Sequence, residues 1–185
     1  MGCRVALRIV SACLIPLWST LAFAQSPPPE YQVKAEFIER FTRFVTWPGS
    51  VFADAAAPFV MCFAGRDEFG SYFSDLAQTG TVQGRRIVVR HLDDDKTAAG
   101  CHLLFISGSE RSRLRPLLDF TSGKPILTIG DTQGFAEAGV LINLFLENGK
   151  YVRFEINVPA VDRSGLIVSS RLMKLAHRVP GEGEK

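Results

Sequence analysis

Residues 101–130 of the chain, "CHLLFISGSERSRLRPLLDFTSGKPILTIG", hold the pattern that decides the fold. An apolar run at 101–107 is followed by a positively charged stretch with helical character, and a second apolar run follows at 125–130. Both apolar runs have the length of strands and are bounded by turn residues. A strand, a helix and a second strand in succession are typical of a parallel sheet with helices on its faces.

The same alternation extends upstream and downstream of this stretch. Apolar runs at 59–65 and 85–92 predict two earlier strands. Three helices are expected after strands: one capped by Asp67 that runs through Leu76, one capped by Ser109, and a short one near Phe135. These patterns predict an α/β fold with a largely parallel sheet and helices on both faces.

An amphipathic stretch at 30–47 precedes the first of these strands. Its apolar side chains fall on one side of a helix, and the opposite side holds Glu36, Glu39, Arg40, Thr42, Arg43 and Thr46. The apolar stripe consists of Val33, Phe37, Ile38, Phe41, Phe44 and Val45. Because Pro48 prevents a helix from continuing, we predict a helix from Glu30 to Trp47 whose aromatic stripe packs into the core.

Residues 140–158, "VLINLFLENGKYVRFEINV", predict a C-terminal antiparallel hairpin. Asn148-Gly149 supplies the positive φ angles that a two-residue turn requires. A tight turn sets Phe145 opposite Val152 in an apolar row that also contains Asn143. The Asn143 amide must find partners because an unpaired buried amide is costly, and bonding to nearby backbone is favoured over contact with a ligand. The opposite face is expected to show Tyr151, Arg153 and Glu155 beside Ile142 and Leu144.

The first 24 residues have the layout of a secretory signal peptide, with Arg4 and Arg8, an apolar stretch and the cleavage motif Ala22-Phe23-Ala24. An uncleaved membrane anchor and a lipoprotein signal with a lipid on Cys13 fit this stretch less well. We expect cleavage after Ala24, which removes two of the 21 Lys and Arg residues and none of the 19 Asp and Glu residues. The mature chain then carries 19 of each and is formally neutral. This balance gives little reason to expect a nucleic-acid partner.

The remaining chain is long enough for one domain with a sizeable core. We expect an extended lead-in at 25–30, a single α/β domain at 31–177 and a polar tail at 178–185. A final helix, capped by Ser169 or Ser170, closes the domain. No stretch after the signal peptide is long and apolar enough to predict a membrane span.

Polar residues follow three of the predicted strands, where ligands gather in parallel α/β sheets. They are Arg66, Asp67, Ser107, Ser109 and Asp131. A cleft at this edge would suit a small-ligand-binding domain or a hydrolase, whereas caps and turns explain the same residues more simply. The chain holds no nucleophile elbow, phosphate loop or paired-carboxylate signature. We predict no catalytic residue, no metal site and no cofactor.

Six segments, taken together and behind a signal peptide, resemble the YfiR/HmsC-like family of bacterial periplasmic proteins. In order they are "VKAEFIERFTRFVTWP" (33–48), "CFAGRDEFG" (62–70), "QGRRIVVRHL" (83–92), "CHLLFIS" (101–107), "ILTIGDTQGFAEAGVLINLFLENGKYVRFEINV" (126–158) and "RSGLIVSSRLMKLA" (163–176). The resemblance covers about Tyr31 to Ala176, nearly the whole mature chain.

The resemblance implies a periplasmic regulator rather than an enzyme. It implies that the protein binds the periplasmic sensor domain of an inner-membrane diguanylate cyclase and holds the cyclase inactive, so that its loss raises cyclic di-GMP and promotes biofilm. It also implies an α/β fold that tends to form a homodimer. We expect the partner to dock on Tyr151, Arg153 and Glu155 of the hairpin and on the segment from Arg163 to Arg171.

The resemblance further implies a disulfide between Cys62 and Cys101, the two cysteines that remain after cleavage. Two alternatives fit the residues less well. His102 is poorly placed to activate Cys101 because neighbours in a strand point to opposite faces. A structural zinc site needs four ligands, which two cysteines and three scattered histidines do not provide at metal spacing. A second disulfide of the family has no counterpart in this sequence.

Overall fold

The computed structural model describes residues 29–92 and 98–179. Its helices are α1 (Pro29–Phe41), α2 (Tyr72–Thr79), α3 (Leu114–Thr121), α4 (Phe135–Ala138), α5 (Val158–Ser164) and α6 (Ser170–Leu175). Its strands are β1 (Val45–Thr46), β2 (Phe59–Ala64), β3 (Thr81–Val82), β4 (Arg85–Leu92), β5 (Leu103–Ile106), β6 (Leu127–Gly130), β7 (Ile142–Glu147), β8 (Tyr151–Asn157), β9 (Ile167–Val168) and β10 (His177–Val179). The predicted signal peptide and residues 180–185 of the predicted tail lie outside the described residues.

The main sheet has eight strands in the order β10-β8-β7-β6-β5-β2-β4-β3. Strands β4, β2, β5, β6 and β7 run parallel to one another, whereas β3 is antiparallel beside β4 and β8 is antiparallel beside β7. The short strand β10 then pairs in parallel with β8. The predicted α/β class, with a largely parallel sheet and a C-terminal antiparallel hairpin, is confirmed.

Helices cover both faces of this sheet, as the sequence predicts. On one face α1 and α2 bury Ile38, Phe41 and Phe73 against the strands, and α5 and α6 contribute to the same core. On the other face Leu117 of α3 and Phe135 of α4 form a smaller core. Both cores contain side chains of the central strands, so the apolar runs that predict the strands also supply the buried surface that stabilises them.

The disulfide between Cys62 and Cys101 is confirmed and lies in the smaller core. It joins β2 to the residue two positions before β5, with a Cα–Cα distance of 5.9 Å. Both cysteines are buried, and closing a loop of 39 residues contributes about 3–4 kcal/mol in the chain-entropy model. Because both sulfur atoms belong to this bond, Cys101 is neither a free nucleophile nor a metal ligand.

The first helix is shorter than predicted, because α1 ends at Phe41 rather than at Trp47. The chain tightens into turns there, and the Phe44 amide donates to the Phe41 carbonyl at 2.9 Å. Residues Val45 and Thr46 then pair with β9. Their β-branched side chains favour a strand, and the partner strand lies more than 100 residues away, beyond what local periodicity reports.

Two predicted helix caps were wrong by a few residues. Asp67 does not cap α2, because its carboxylate accepts from the Phe69 amide in a turn and the helix is preceded by Ser71. Ser109 does not act as a cap either, because Ser107 accepts from the Ser109 amide at the start of a 3₁₀ helix that leads into α3. Both polar residues stabilise the loops that precede the helices instead.

The predicted hairpin register was wrong by one residue. The Asn148-Gly149 turn forms, with positive φ at both residues and a Lys150 amide that donates to the Glu147 carbonyl. The ladder nevertheless pairs Glu147 with Tyr151, so Lys150 is an extra residue that shifts the strand. In consequence Val152, Phe154 and Ile156 share the core face with Leu146, Leu144 and Ile142. Tyr151, Arg153 and Glu155 share the opposite face with Glu147, Phe145 and Asn143.

The C-terminal region contains more structure than the single predicted helix. The predicted cap Ser169 is confirmed for α6, where it accepts from the Arg171 amide. Helix α5, capped by Asn157, and the strands β9 and β10 were not predicted. Helix α1 begins at Pro29, inside the expected lead-in, and β10 extends to Val179, inside the expected tail.

Candidate functional site: the strand-end edge and the hairpin face

The strand-end edge is the set of loops after β2, β5 and β6, which contains Arg66, Asp67, Ser107, Ser109 and Asp131. Strand β2 lies between β4 and β5, so the strand order reverses here, at the point where parallel sheets place ligands. The Arg66 amide donates to Ser109 Oγ at 2.9 Å, and the Ser109 and Ser107 hydroxyls lie 3.2 Å apart. A Cβ at Gly65 would overlap with Ser109 Oγ. The two loops therefore pack directly against each other.

Asp131 is held by the first turns of α1. Its Oδ2 accepts from the Lys34 ammonium and from the Tyr31 hydroxyl, each at 2.9 Å. The side chains of Lys34 and Asp131 are each only 4% exposed, and Lys34 also pairs with Glu30. Burial and the neighbouring Asp131 carboxylate raise the pKa of Tyr31 above its ordinary value, so the phenol remains a donor. The buried ion pair of Lys34 and Asp131, in which each charge neutralises the other, thus holds α1 against the strand-end edge.

The other members of the strand-end edge make contacts of different kinds. A Cβ at Gly108 would lie 2.6 Å from Thr132 Oγ1. The loop after β5 therefore packs closely against the loop after β6. Asp67 lies by Phe69 and His91, and its Oδ2 is 3.9 Å from His91 Nε2. Ser107, Ser109 and the Arg66 backbone are therefore brought together, whereas Asp67 faces a different neighbour.

Asn143, predicted to bond to nearby backbone, does so between the strand-end edge and the hairpin of β7 and β8. Its amide is fully buried, donates to the Thr132 carbonyl at 3.1 Å and accepts from the Thr132 amide at 3.2 Å. It also donates to Glu155 Oε1 at 2.8 Å. One of the three predicted docking residues, Glu155, is therefore half-buried and engaged inside the fold.

The hairpin face consists of Phe145, Glu147, Tyr151, Arg153 and His177 on the outer side of β7, β8 and β10. Tyr151 is 52% exposed, and the exposed Arg153 pairs with Glu147 at 3.1 Å. Phe145 and His177 meet edge to face, with ring centroids 5.4 Å apart. The short helix α4 covers only the far end of these strands, where Asn157 Nδ2 donates to the Ala136 carbonyl. The rest of the face is open.

The remaining predicted docking residues, Arg163 and Arg171, are exposed on α5 and α6. Arg163 lines a cavity of about 170 Å³ formed by the ends of α3, α4 and α5. Helices α3 and α4 lead into the starts of β6 and β7, so this cavity lies at the edge opposite the strand-end edge. Its other polar side chains include Arg115 and Asp119, which pair with each other at 3.0 Å.

Two absences hold for residues 29–92 and 98–179 of the chain. In this part of the chain no group of three or more His, Cys, Asp and Glu side chains is placed to hold a metal ion. No helix there is both long enough and apolar enough to cross a membrane.

The family model described as YfiR/HmsC-like matches residues 31–177. The chain belongs to the YfiR/HmsC-like family. Members of this family are periplasmic regulatory proteins without catalytic activity, which agrees with the resemblance seen in the sequence. No curated protein matches this YfiR/HmsC-like chain significantly.

A solved structure shares the fold of this YfiR/HmsC-like domain. It is the ABC domain in complex with L-Trp from Streptococcus pneumonia, with a TM-score of 0.54 and 8% sequence identity. The match covers 81% of this chain and 60% of that chain. At this identity the likeness concerns the fold alone.

Several contacts that shape this YfiR/HmsC-like domain were not predicted from the sequence. Lys34 and Asp131 are 97 residues apart in the sequence, so no local pattern predicts that they pair. The available signal for the burial of Lys34 is its position, at 100° per residue, inside the arc of the predicted apolar stripe. The contact of Phe145 with His177 depends on β10, which has three residues and no periodic pattern.

Proposed function

We propose that this protein binds the periplasmic region of an inner-membrane diguanylate cyclase and holds the cyclase inactive. Membership of the YfiR/HmsC-like family supports this class of partner. The observation that carries the binding role is the hairpin face, an uncovered part of the sheet with exposed Tyr151 and Arg153. We also propose export with cleavage after Ala24 and a homodimer, as the family resemblance implies.

The chemistry of the hairpin face suits a protein partner. Tyrosine and arginine are enriched at the centres of protein interfaces, where a flat aromatic ring and a planar guanidinium bury much area at low entropic cost. The ion pair of Arg153 and Glu147 is solvent-exposed. Arg153 can therefore pair with an acidic residue of the partner instead of Glu147 at little cost in free energy. Arg163 and the exposed Arg171, expected from the sequence as further docking residues, lie on the C-terminal helices outside the hairpin face, and the proposed function rests on the hairpin face alone.

Restraint of a cyclase requires the domain to bind the inactive form better than the active form. A ratio of about one hundred between the two affinities corresponds to about 2.7 kcal/mol of coupling. One or two well-packed side chains at an interface commonly contribute this much binding free energy, so the hairpin face can supply the difference between the two affinities. The alternative, a small-ligand-binding domain or hydrolase at the strand-end edge, is less favoured because Asp131 already pairs with Lys34 and Tyr31.

Site-specific photocrosslinking tests the proposal. A photoreactive amino acid replaces Tyr151 in the exported protein, and a matched variant carries it at Arg40, an exposed position on α1. After illumination of intact cells, we expect the Tyr151 variant alone to capture an inner-membrane diguanylate cyclase, identified by mass spectrometry. Capture of no membrane signalling protein from Tyr151, or equal capture from Arg40, contradicts the proposed face.

The proposed export is tested on the same material. The intact mass of the periplasmic protein should correspond to a chain that starts at Gln25. A mass that retains residues 1–24, or a lipid on Cys13, contradicts cleavage after Ala24.

A further inference from the structure

The C-terminal basic segment, residues 163–179, contains positively charged residues and no acidic residue. From residue 163 to residue 181 the sequence contains four Lys and Arg residues and no Asp or Glu. Several cations elsewhere on the surface have nearby acids. Examples are the pairs four residues apart, Arg40–Glu36, Arg43–Glu39 and Arg115–Asp119.

The four cations of this segment are Arg163, Arg171, Lys174 and Arg178, and all four are exposed. Within residues 29–92 and 98–179, none of their side chains has a hydrogen-bond, ion-pair or aromatic partner. Positive charge that the fold does not compensate gives this segment a field that attracts an anionic surface.

Two exposed aliphatic side chains stand among these cations. Leu175 is 73% exposed and Ile167 is 70% exposed, the highest values among the large apolar side chains of the described residues. Arg171, Lys174 and Leu175 are spaced i, i+3 and i+4, so they lie on one side of α6. Leu172 packs into the core on the other side. Helix α6 therefore presents two cations and one leucine outward.

We propose that the C-terminal basic segment binds the anionic phospholipid surface of a membrane. Lysine and arginine beside exposed leucine or isoleucine form the pattern of segments that lie in a membrane interface, where the aliphatic groups insert among acyl chains and the cations bind headgroups. An acidic protein surface is the less favoured occupant. Interface centres between proteins are enriched in aromatic residues and carry mixed polar groups, which the outward side of α6 lacks.

This inference goes beyond the proposed function, because it gives the domain a second partner, the lipid surface itself. Contact with the outer leaflet of the inner membrane would concentrate the domain where a membrane-embedded cyclase presents its periplasmic region. The increase in effective concentration strengthens a weak protein contact without any additional contact between the proteins. Lipid binding and cyclase binding are measured separately, so one can fail while the other holds.

Vesicle sedimentation tests the proposal with the purified mature protein. We expect sedimentation with vesicles of phosphatidylglycerol and phosphatidylcholine, not with phosphatidylcholine alone, and a decrease as salt is added. The double variant R171Q/K174Q should bind about thirtyfold more weakly, at about 1 kcal/mol for each cation. Leu175→Ser should weaken binding about tenfold at unchanged charge. The matched control R40Q/R43Q removes two cations, Arg40 on α1 and Arg43 in the turn that follows it, and should bind like the wild type.

Three results overturn the proposal. One is the absence of sedimentation with anionic vesicles, and another is equal loss in R171Q/K174Q and R40Q/R43Q. The third is absence of vesicle binding together with loss of cyclase crosslinking in R171Q/K174Q, which assigns the segment to an acidic protein surface. Circular dichroism and thermal unfolding of each variant verify that the exposed substitutions leave the fold intact.

Discussion

The strand-end edge and the C-terminal basic segment are both rich in charged and polar residues, yet the fold treats them differently. At the strand-end edge the buried charges of Lys34 and Asp131 compensate each other, with Tyr31 as an additional donor. In the basic segment the exposed cations, such as Arg171 and Lys174, have no partner among the described residues. Compensated charges inside the fold stabilise it, whereas uncompensated charges at its surface are available to another molecule. The contrast predicts that substitutions in the two regions affect different measurements.

Lys34→Met should produce the largest loss of stability. The substitution leaves the Asp131 carboxylate buried without its cation, which costs about 3–5 kcal/mol of unfolding free energy. Urea denaturation of the purified domain measures this change. The double variant K34M/D131N removes both charges and should recover most of the loss. Arg40→Gln, which breaks an exposed pair, should cost under about 1 kcal/mol. A K34M cost as small as that of R40Q would erase the difference between the two regions.

Replacement of both cysteines should produce the next largest effect. C62S/C101S removes the bond between β2 and the start of β5 and should lower the unfolding free energy by about 2–5 kcal/mol. The same denaturation measurement applies, with non-reducing peptide mapping of the wild type to verify one linked pair. Two free thiols in freshly isolated periplasmic protein would remove the basis for this prediction.

The pH dependence of stability should depend on His102, which is buried between the rings of Phe52 and Phe59. Its Nδ1 accepts from the Val60 amide at 2.9 Å, so the neutral ring is the form that fits. Burial, aided by the charge of Arg85, lowers the pKa of His102 below its ordinary value. The unfolded chain therefore binds a proton that the folded chain excludes, and stability falls as the pH decreases below about 6.5.

The loss should not exceed about 1.4 kcal/mol for each pH unit from this one group. Unfolding free energies at about pH 7.5 and about pH 5.5 measure it, for the wild type and for His102→Phe. The variant has a lower stability because it lacks the bond to Val60, but its pH dependence in this range should be weaker. An equal pH dependence in both proteins would exclude His102 as the group responsible.

R171Q/K174Q should have the smallest effect on stability. Neither side chain is buried or paired among the described residues, so the change in unfolding free energy should stay within about 0.5 kcal/mol. The same denaturation series measures it. A cost above about 1 kcal/mol would show that these cations stabilise the fold, and the comparison with Lys34 would then no longer separate the two regions.

The parts of the fold that the sequence predicts are those written in local patterns. Strands β2, β4, β5 and β6 follow from apolar runs of strand length, and the hairpin follows from Asn148-Gly149. The register of the hairpin does not follow from the sequence, because the turn residues Asn148-Gly149 do not reveal that Lys150 is an extra residue in the pairing. Helix α1 is predicted but not its end, which depends on the distant strand β9.

The contacts of the candidate site depend still more on tertiary structure. The strand-end residues are identifiable because strand ends carry polar loops, yet nothing local to Asp131 indicates that Lys34 will cover it. Glu155 is predicted to be exposed with Tyr151 and Arg153, and the alternation of the strand does place all three on one face. Its half-buried position arises from Asn143 on the neighbouring strand, which a pattern within one strand does not report.

The cyclic di-GMP content of cells tests the central claim, that this domain restrains a diguanylate cyclase through its hairpin face. A deletion strain is complemented with the wild type, with Y151A/R153A or with the matched control R40A/R43A, at equal periplasmic abundance. The proposed function predicts that deletion raises cyclic di-GMP, that the wild type and the control restore the low level, and that Y151A/R153A does not. Unchanged cyclic di-GMP after deletion contradicts the regulatory role, and full restoration by Y151A/R153A contradicts the hairpin face as its docking surface.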